Sequence, residues 1–257
     1  VTDLILTEKA DRILTVRLNR PDRKNALTHN MYTAMADALE QAESDNDIRC
    51  TLFTGTEDCF TAGNDLSEFA QGLPGEFRET PVGRFLLLLA TATKPVVAAV
   101  NGPAVGIGTT MLLHCDLVVA GNNTRFQMPF ANLGLCPEGG SSLLLPAWLG
   151  RVRAAELLML GCAFSGDDAL EMGLINRVCE PAETEATARE LCRQLAAQAP
   201  AALRATKQLL NRPVMEDLTD TMLTEGKLFS ERLKSPEAAE AFRAFMEKRK
   251  PDFSSFD

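Results

Sequence analysis

Two short stretches, Phe60-Thr61-Ala62-Gly63-Asn64-Asp65-Leu66 and Asn101-Gly102-Pro103-Ala104-Val105-Gly106-Ile107-Gly108, set small residues where a strand end turns into a helix. At such a turn the first backbone N–H groups of the helix have no partner within it and sit at the positive end of its dipole. Glycine lets the chain turn tightly and lets a ligand carbonyl come close to the main chain. Two such donors aimed at one point hold a negatively charged oxygen. The pair predicts an oxyanion hole, and with it enolate or acyl chemistry. Either stretch taken singly reads equally well as a tight strand–helix connection.

The elements that must carry these turns follow from the hydrophobic pattern. Residues 3–18 alternate apolar and polar around Glu8-Lys9-Ala10-Asp11, which predicts a hairpin. Residues 28–44 have helical periodicity, with Met31, Met35, Ala38 and Leu39 on one face. Buried strands are expected at Ile48 to Thr54, Val96 to Val100 and Leu117 to Ala120. Helices are expected from Asp65 to Gln71, over 82–92 and from Gly108 to His114, with a mobile loop over 72–81 rich in Gly, Pro and charge. Beyond about residue 140 the chain reads as helical, over 141–149, 151–160, 165–172, 183–198, 201–212, 215–233 and 236–248. Alternating strand and helix define the class as α/β, with a helical C-terminal part and no clear internal repeat. The apolar stripes of that last part slightly favour closure on the chain's own core over packing on another subunit.

Composition narrows the function. A chain of 257 residues, 46% hydrophobic and 24% charged, has the balance of an ordinary globular protein with a large core. No apolar run approaches the roughly 20 residues of a membrane span. The formal charge of −9 disfavours a nucleic-acid surface, although the local clusters Arg20, Arg23, Lys24 and Lys248, Arg249, Lys250 leave room for a phosphorylated ligand. Seven cysteines without a Cys-x-x-Cys pair read as reduced core residues of a cytoplasmic protein, and no secretory leader or peroxisomal tripeptide is expected. Two histidines, His29 and His114, disfavour a His-based triad or zinc site, so no metal is expected. Ser141 and Ser142 lie outside a Gly-x-Ser-x-Gly elbow. Asp65 reads as a helix cap, Asp116 as a buried hydrogen-bonding group ahead of a strand, and Glu68 as surface.

Several motifs in order resemble the crotonase, or enoyl-CoA hydratase/isomerase, superfamily. They are Leu18-Asn19-Arg20-Pro21 with Asn25-Ala26-Leu27, the two glycine stretches above, Cys115-Asp116-Leu117-Val118-Val119-Ala120, Leu133-Gly134, and Phe245-Met246-Glu247-Lys248-Arg249. The likeness covers nearly the whole chain. It implies a spiral of ββα turns over residues 1–198, holding the CoA and acyl site. A helical trimerisation region over 199–257 would pack on the core and on neighbouring subunits. It also implies an acyl-CoA thioester ligand, no separate cofactor because coenzyme A is part of the substrate, and a homotrimer or dimer of trimers without nucleic-acid or membrane partners. By position, the amides of Asn64 and Ile107 would form the oxyanion hole, beside Ala62 and Gly106. Arg23, Lys24, Ala26 and Lys248 would hold the nucleotide end of CoA, with Lys248 acting across a subunit boundary. Leu86 to Leu89 and the loop over 72–81 would shape the acyl pocket.

The resemblance also sorts the possible reactions. Hydratases of this family use two carboxylates, at positions that here are Thr110 and Phe130, the latter following Phe126-Gln127-Met128-Pro129. Neither residue can serve as a carboxylate base. The segment Leu133-Gly134-Leu135-Cys136-Pro137-Glu138-Gly139-Gly140-Ser141-Ser142 instead looks like that of Δ3,Δ2-enoyl-CoA isomerases of the peroxisomal type, in which the glutamate matching Glu138 is the single catalytic base. One acid suffices to take a proton from C2 and return it at C4, and an apolar surround including Phe130 should raise its pKa. Each oxyanion donor would lower the barrier by on the order of 3–4 kcal/mol. Without the resemblance, Glu138 reads as an acid at a helix start. The expected activity is isomerisation of 3-enoyl-CoA to 2-trans-enoyl-CoA in fatty acid β-oxidation. Hydration or another crotonase-type reaction on an acyl-CoA is the alternative, and a non-catalytic acyl-CoA binding protein is a third.

Overall fold

The structure, a computed structural model, describes residues 4–69 and 75–256. The end of the expected helix at 70–71 and the start of the expected loop at 72–74 lie outside the described residues. The N-terminal hairpin forms as the alternation predicts: β1 (Ile5–Ala10) pairs antiparallel with β2 (Ile13–Leu18). Asp11 and Arg12 between them both have positive φ, 52° and 62°, the geometry whose twist matches a two-residue hairpin turn. β2 then runs parallel to β3 (Cys50–Thr54), β3 to β4 (Val96–Val100), β4 to β6 (Leu117–Gly121) and β6 to β9 (Arg177–Cys179), giving a six-stranded sheet in the order β1-β2-β3-β4-β6-β9. Every residue of β3 and β4 is buried, as expected for parallel strands covered on both faces.

Helices supply the two covering layers. On one face lies α1 (His29–Ser44), started by the Thr28 hydroxyl, which accepts from the Met31 N–H at 3.3 Å. It packs with α3 (Pro81–Thr91), begun by Thr80 in the same way, into the main core with Val16, Phe53, Ala98 and Val118. On the other face α8 (Thr184–Ala196) lays Ala188, Leu191 and Cys192 against Ile13, Leu52, Val97 and Val119. The sheet is thus sandwiched between two helical layers.

A second, three-stranded sheet joins β5 (Pro103–Val105), β7 (Arg125–Gln127) and β8 (Phe164–Ser165) in the order β5-β7-β8. β5 and β7 are parallel, as are the β4 and β6 strands that precede them. Single parallel bridges extend this second layer backwards, Thr61 with Ala104 and Leu27 with Asn64. Each turn of chain therefore places one strand in the large sheet and a very short one beside it, then crosses by a helix. The turns form a spiral that the sequence does not display as a repeat, because second strands of one to three residues carry no alternation.

The remaining helices are α2 (Leu66–Phe69), α4 (Ile107–Thr110), α5 (Ser141–Leu149), α6 (Arg151–Ala155), α7 (Gly166–Glu171), α9 (Pro200–Arg232) and α10 (Pro236–Met246). Three differ from expectation. The helix expected over 151–160 is α only as far as Ala155 and widens into a π turn at Glu156–Leu160. The helix expected from Gly108 to His114 is one α turn tightening into a 3-10 turn at Met111–His114. The separate helices expected over 201–212 and 215–233 are one 33-residue helix that runs through Pro213. Pro213 is exposed, and so is Leu209, whose carbonyl loses its helical N–H partner; water can satisfy it there. Leu218, Met222 and Phe229 of α9 and Ala238 of α10 join the main core, whereas Leu209 and Leu210 are 66% and 73% exposed. Among the described residues no helix is long and apolar enough to cross a membrane.

Candidate active site

The first glycine stretch is held by the 20–26 loop. Asn25 is fully buried and its side-chain amide donates to the carbonyls of Cys59 at 2.8 Å and Phe60 at 3.0 Å. The Thr61 hydroxyl donates to the Asn25 carbonyl at 2.6 Å and accepts from the Gly63 N–H at 3.0 Å. The Ala62 N–H donates to the Lys24 carbonyl at 2.9 Å, and Arg20 donates to the Ala26 carbonyl at 2.8 Å. Arg23, Lys24, Ala26 and Ala62 thus share one corner of the fold, with the Arg23 and Lys24 side chains exposed. Lys248 is exposed in the turn just beyond α10, and among the described residues no hydrogen bond or ion pair joins it to that corner.

The two glycine stretches lie side by side. The Val105 N–H donates to the Thr61 carbonyl at 3.0 Å, and a Cβ on Gly63 would stand 2.9 Å from the Val105 oxygen. Gly63 (φ 92°) and Gly106 (φ 57°) both occupy backbone that side chains rarely adopt. The bridge from Leu27 engages the Gly63 carbonyl and the Asp65 N–H, which turns the Asn64 N–H to the other side. Among the described residues neither the Asn64 N–H nor the Ile107 N–H has an acceptor. Ile107 opens α4, so its amide is one of that helix's unpaired donors.

Glu138 closes the cluster. It is 7% exposed, and the buried Thr110 hydroxyl, from the last residue of α4, donates to its Oε1. Burial pushes its carboxyl up to about 8; the Thr110 hydrogen bond works against that, and the negative charge of Glu225 works with it. The Tyr32 hydroxyl donates to Asn64 Oδ1, and burial, then the Glu138 charge, hold the Tyr32 phenol well above its usual range. Phe130 stands edge-on to Phe229, ring centres 6.3 Å apart, and its ring edge lies 3.9 Å from where a Cβ on Gly106 would be. A Cβ on Gly139 would meet Thr110 at 3.2 Å and Leu86 at 3.9 Å. The structure therefore gathers Asn64, Gly106, Ile107, Phe130 and Glu138 into one place.

Other polar groups take supporting roles, some anticipated from the sequence and some not. His114 is held neutral by burial, its pKa lowered to about 4, and its Nε2 donates to the Gly139 carbonyl at 2.8 Å. Glu225 of α9 accepts from the Gly140 and Ser142 amides. Glu68, expected to be surface only, accepts from the His29 N–H at 2.8 Å and so caps α1. Asp65 caps α2 as expected, held down at about 2 by Ser67 and by Arg20, with which it pairs at 2.7 Å. Asp116 accepts from the Val96 N–H and from Lys207, each at 2.7 Å. Tyr32 was the legible omission, as the only tyrosine in the chain and a polar-tipped residue within an apolar helix face. Glu225 and His114 gave no signal, because 87 and 24 residues of chain separate them from Glu138 and only the fold brings them near.

A spiral of paired strands with a helical C-terminal region defines a crotonase-like α/β protein. The chain belongs to the enoyl-CoA hydratase/isomerase family, whose sequence profile matches residues 8–255. It is similar to the 1,2-epoxyphenylacetyl-CoA isomerase of Escherichia coli strain K12, 37% identical with 98% of each chain covered. It is also similar to the short-chain-enoyl-CoA hydratase of Clostridium acetobutylicum, 32% identical over 96% of this chain and 95% of that one. Among solved structures, OdaA of Pseudomonas aeruginosa matches with a TM-score of 0.92 at 50% identity, covering 95% of this chain and 99% of that one. An enoyl-CoA hydratase/isomerase from Pseudoalteromonas atlantica T6c matches with the same TM-score, 0.92, at 40% identity over 98% and 100%. The protein is thus an enzyme of a family that acts on acyl-CoA thioesters.

Proposed function

We propose that the protein is an acyl-CoA isomerase that moves a 3-enoyl-CoA double bond to the 2-trans position through a thioester enolate. The observation that carries this reading is the buried carboxyl of Glu138, hydrogen-bonded to Thr110, where Thr110 and Phe130 stand at the positions of the two hydratase carboxylates. Glu138 takes a proton from C2. The enolate oxygen accepts from the Asn64 and Ile107 amides, and Glu138 delivers the proton to C4. Phe130 and Leu86 keep the path apolar, so that water does not compete for the intermediate. Arg23, Lys24, Ala26 and Ala62, with Lys248 of a neighbouring subunit in a homotrimer, bind the CoA end.

The test incubates the enzyme with a 3-enoyl-CoA in deuterated water. The expected product is 2-trans-enoyl-CoA, with deuterium only where the carboxyl exchanged before delivery. A 3-hydroxyacyl-CoA as the first product overturns the reading in favour of hydration, and tight binding without turnover overturns it in favour of a binding protein. The 37% identity to an enzyme named as a 1,2-epoxyphenylacetyl-CoA isomerase favours a second reading, isomerisation of a ring epoxide by the same acid, and that thioester belongs in the assay as a second substrate.

A further inference from the structure

The turn that carries Glu138 is fixed from a distant part of the chain. Glu225 lies in the second half of α9 and is 5% exposed. Its Oε2 accepts from the Gly140 N–H at 2.6 Å, and its Oε1 accepts from the Ser142 N–H at 2.9 Å and the Ser142 hydroxyl at 2.5 Å. Burial pushes the Glu225 carboxyl above its ordinary range, while the Ser142 hydroxyl, the Ser142 amide and the Gly140 amide, all donating to it, work against that and favour the ionised form. Gly140 and Ser142 flank the first residue of α5, a nine-residue helix whose start would otherwise present unpaired N–H groups in the interior. On the near side of the same turn the Glu138 carbonyl accepts from the Ser141 hydroxyl at 2.6 Å, and His114 holds the Gly139 carbonyl. The Glu138 backbone is thus tied on both sides, and a carboxylate from α9 is the anchor.

We propose that Glu225 is the positioning residue of this site, a buried carboxylate that pins the turn bearing Glu138 and brings a negative charge near its carboxyl. This rests on the reading of Glu138 as the acid–base group. Other titratable groups around Glu138 do not offer that charge. Tyr32 from α1 is held protonated, His114 beyond α4 is neutral, and burial pushes the Cys136 thiol up to about 11. Glu225 therefore raises the proton affinity of Glu138, making it a stronger base once ionised, while holding its backbone in place.

The experiment follows the glutamate side-chain carboxyl carbons by NMR across pH in full-length, carbon-13-labelled protein. Glu138→Gln identifies the Glu138 signal by its loss. In Glu225→Gln the Glu138 midpoint should move to lower pH by at least about half a unit, because a neighbouring like charge is gone. With 3-enoyl-CoA the same variant should lose about tenfold or more in kcat, with KM changed less than about threefold. An unmoved or higher midpoint overturns the proposal. If Glu225→Gln does not fold, Glu225→Asp identifies the Glu225 signal in the wild type by difference. Glu225 must then be ionised throughout the Glu138 titration, and a neutral Glu225 there overturns the proposal. The titration needs no substrate, so its failure is separate from a failure of the isomerase reading, which would show as full turnover by Glu138→Gln.

Discussion

Replacing Glu138 by glutamine should uncouple stability from pH in a defined window. The carboxyl titrates near its ordinary value of 4.5 in the unfolded chain and at about 8 in the folded one. Between those values the native state holds a proton that the unfolded state has released, so stability falls as pH rises. The stabilisation relative to alkaline pH is fully present below 4.5, declines by about 1.4 kcal/mol per pH unit, and is gone above about 8. The whole excursion is on the order of 5 kcal/mol, a large part of the 5–15 kcal/mol that stabilises a typical domain. Glutamine keeps the shape and can still accept from the Thr110 hydroxyl, but it does not titrate. Urea unfolding of both proteins at one fixed concentration, from pH 5 to pH 9, reads the difference directly. Near pH 5 the two should be similar; by pH 8 the variant should be the more stable by about 4 kcal/mol. Curves that stay parallel across this range refute the reasoning, because they would mean that the carboxyl is solvated or already ionised in the folded state.

Removing the Thr110 hydroxyl with Thr110→Val keeps the volume but takes away a donor that stabilises the Glu138 carboxylate, so the ascending limb of kcat/KM against pH should move to higher pH by about one unit; a limb that does not move contradicts the hydrogen bond's role. Gly106→Ala has room for its methyl group, since the nearest atom, on Phe130, is 3.9 Å away, yet it forces a side chain into φ 57°. It should destabilise by about 1–2 kcal/mol and lower kcat about a hundredfold by displacing the Ile107 amide, and wild-type turnover with lowered stability would remove that amide from the mechanism. Lys24→Glu should raise KM for the CoA ester several-fold at low salt, with the difference fading by about 0.5 M salt, whereas a salt-independent effect would point to a disturbed loop rather than a lost charge.

Much of this architecture is legible in the residues because local physics decides it. Thr28 and Thr80 cap helices that their apolar periodicity announces, and the all-apolar Val96–Val100 reads as a covered strand. The short strands β5, β7 and β8 escape notice because two or three residues carry no period, and their pairing comes from neighbouring turns of chain. Pro213 misleads for the opposite reason. A local helix breaker is overridden where tertiary packing of Leu218, Met222 and Phe229 holds the downstream half of α9 in line. At the site, glycines advertise the backbone turns, since few other residues tolerate φ near 57° or 92°. Glu138 could be nominated only by resemblance, and its pKa is set first by burial, then by Thr110, which opposes the rise, and by Glu225, which adds to it, groups that become neighbours only after folding.

The single bridge between Thr61 and Ala104 has a further consequence. Asn64 and Ile107 belong to adjacent rungs of the spiral, so the gap between them is set by inter-strand spacing, a constant of all β-structure, rather than by side chains. Phe130 and Glu138 hang from other places on the scaffold, and Thr110 from the far end of α4. A change of acid from one of those positions to another would redirect the chemistry without touching the polarising pair. That division of labour makes the proton-handling residue an interchangeable part, and a lineage built on it can trade one reaction for another by few substitutions.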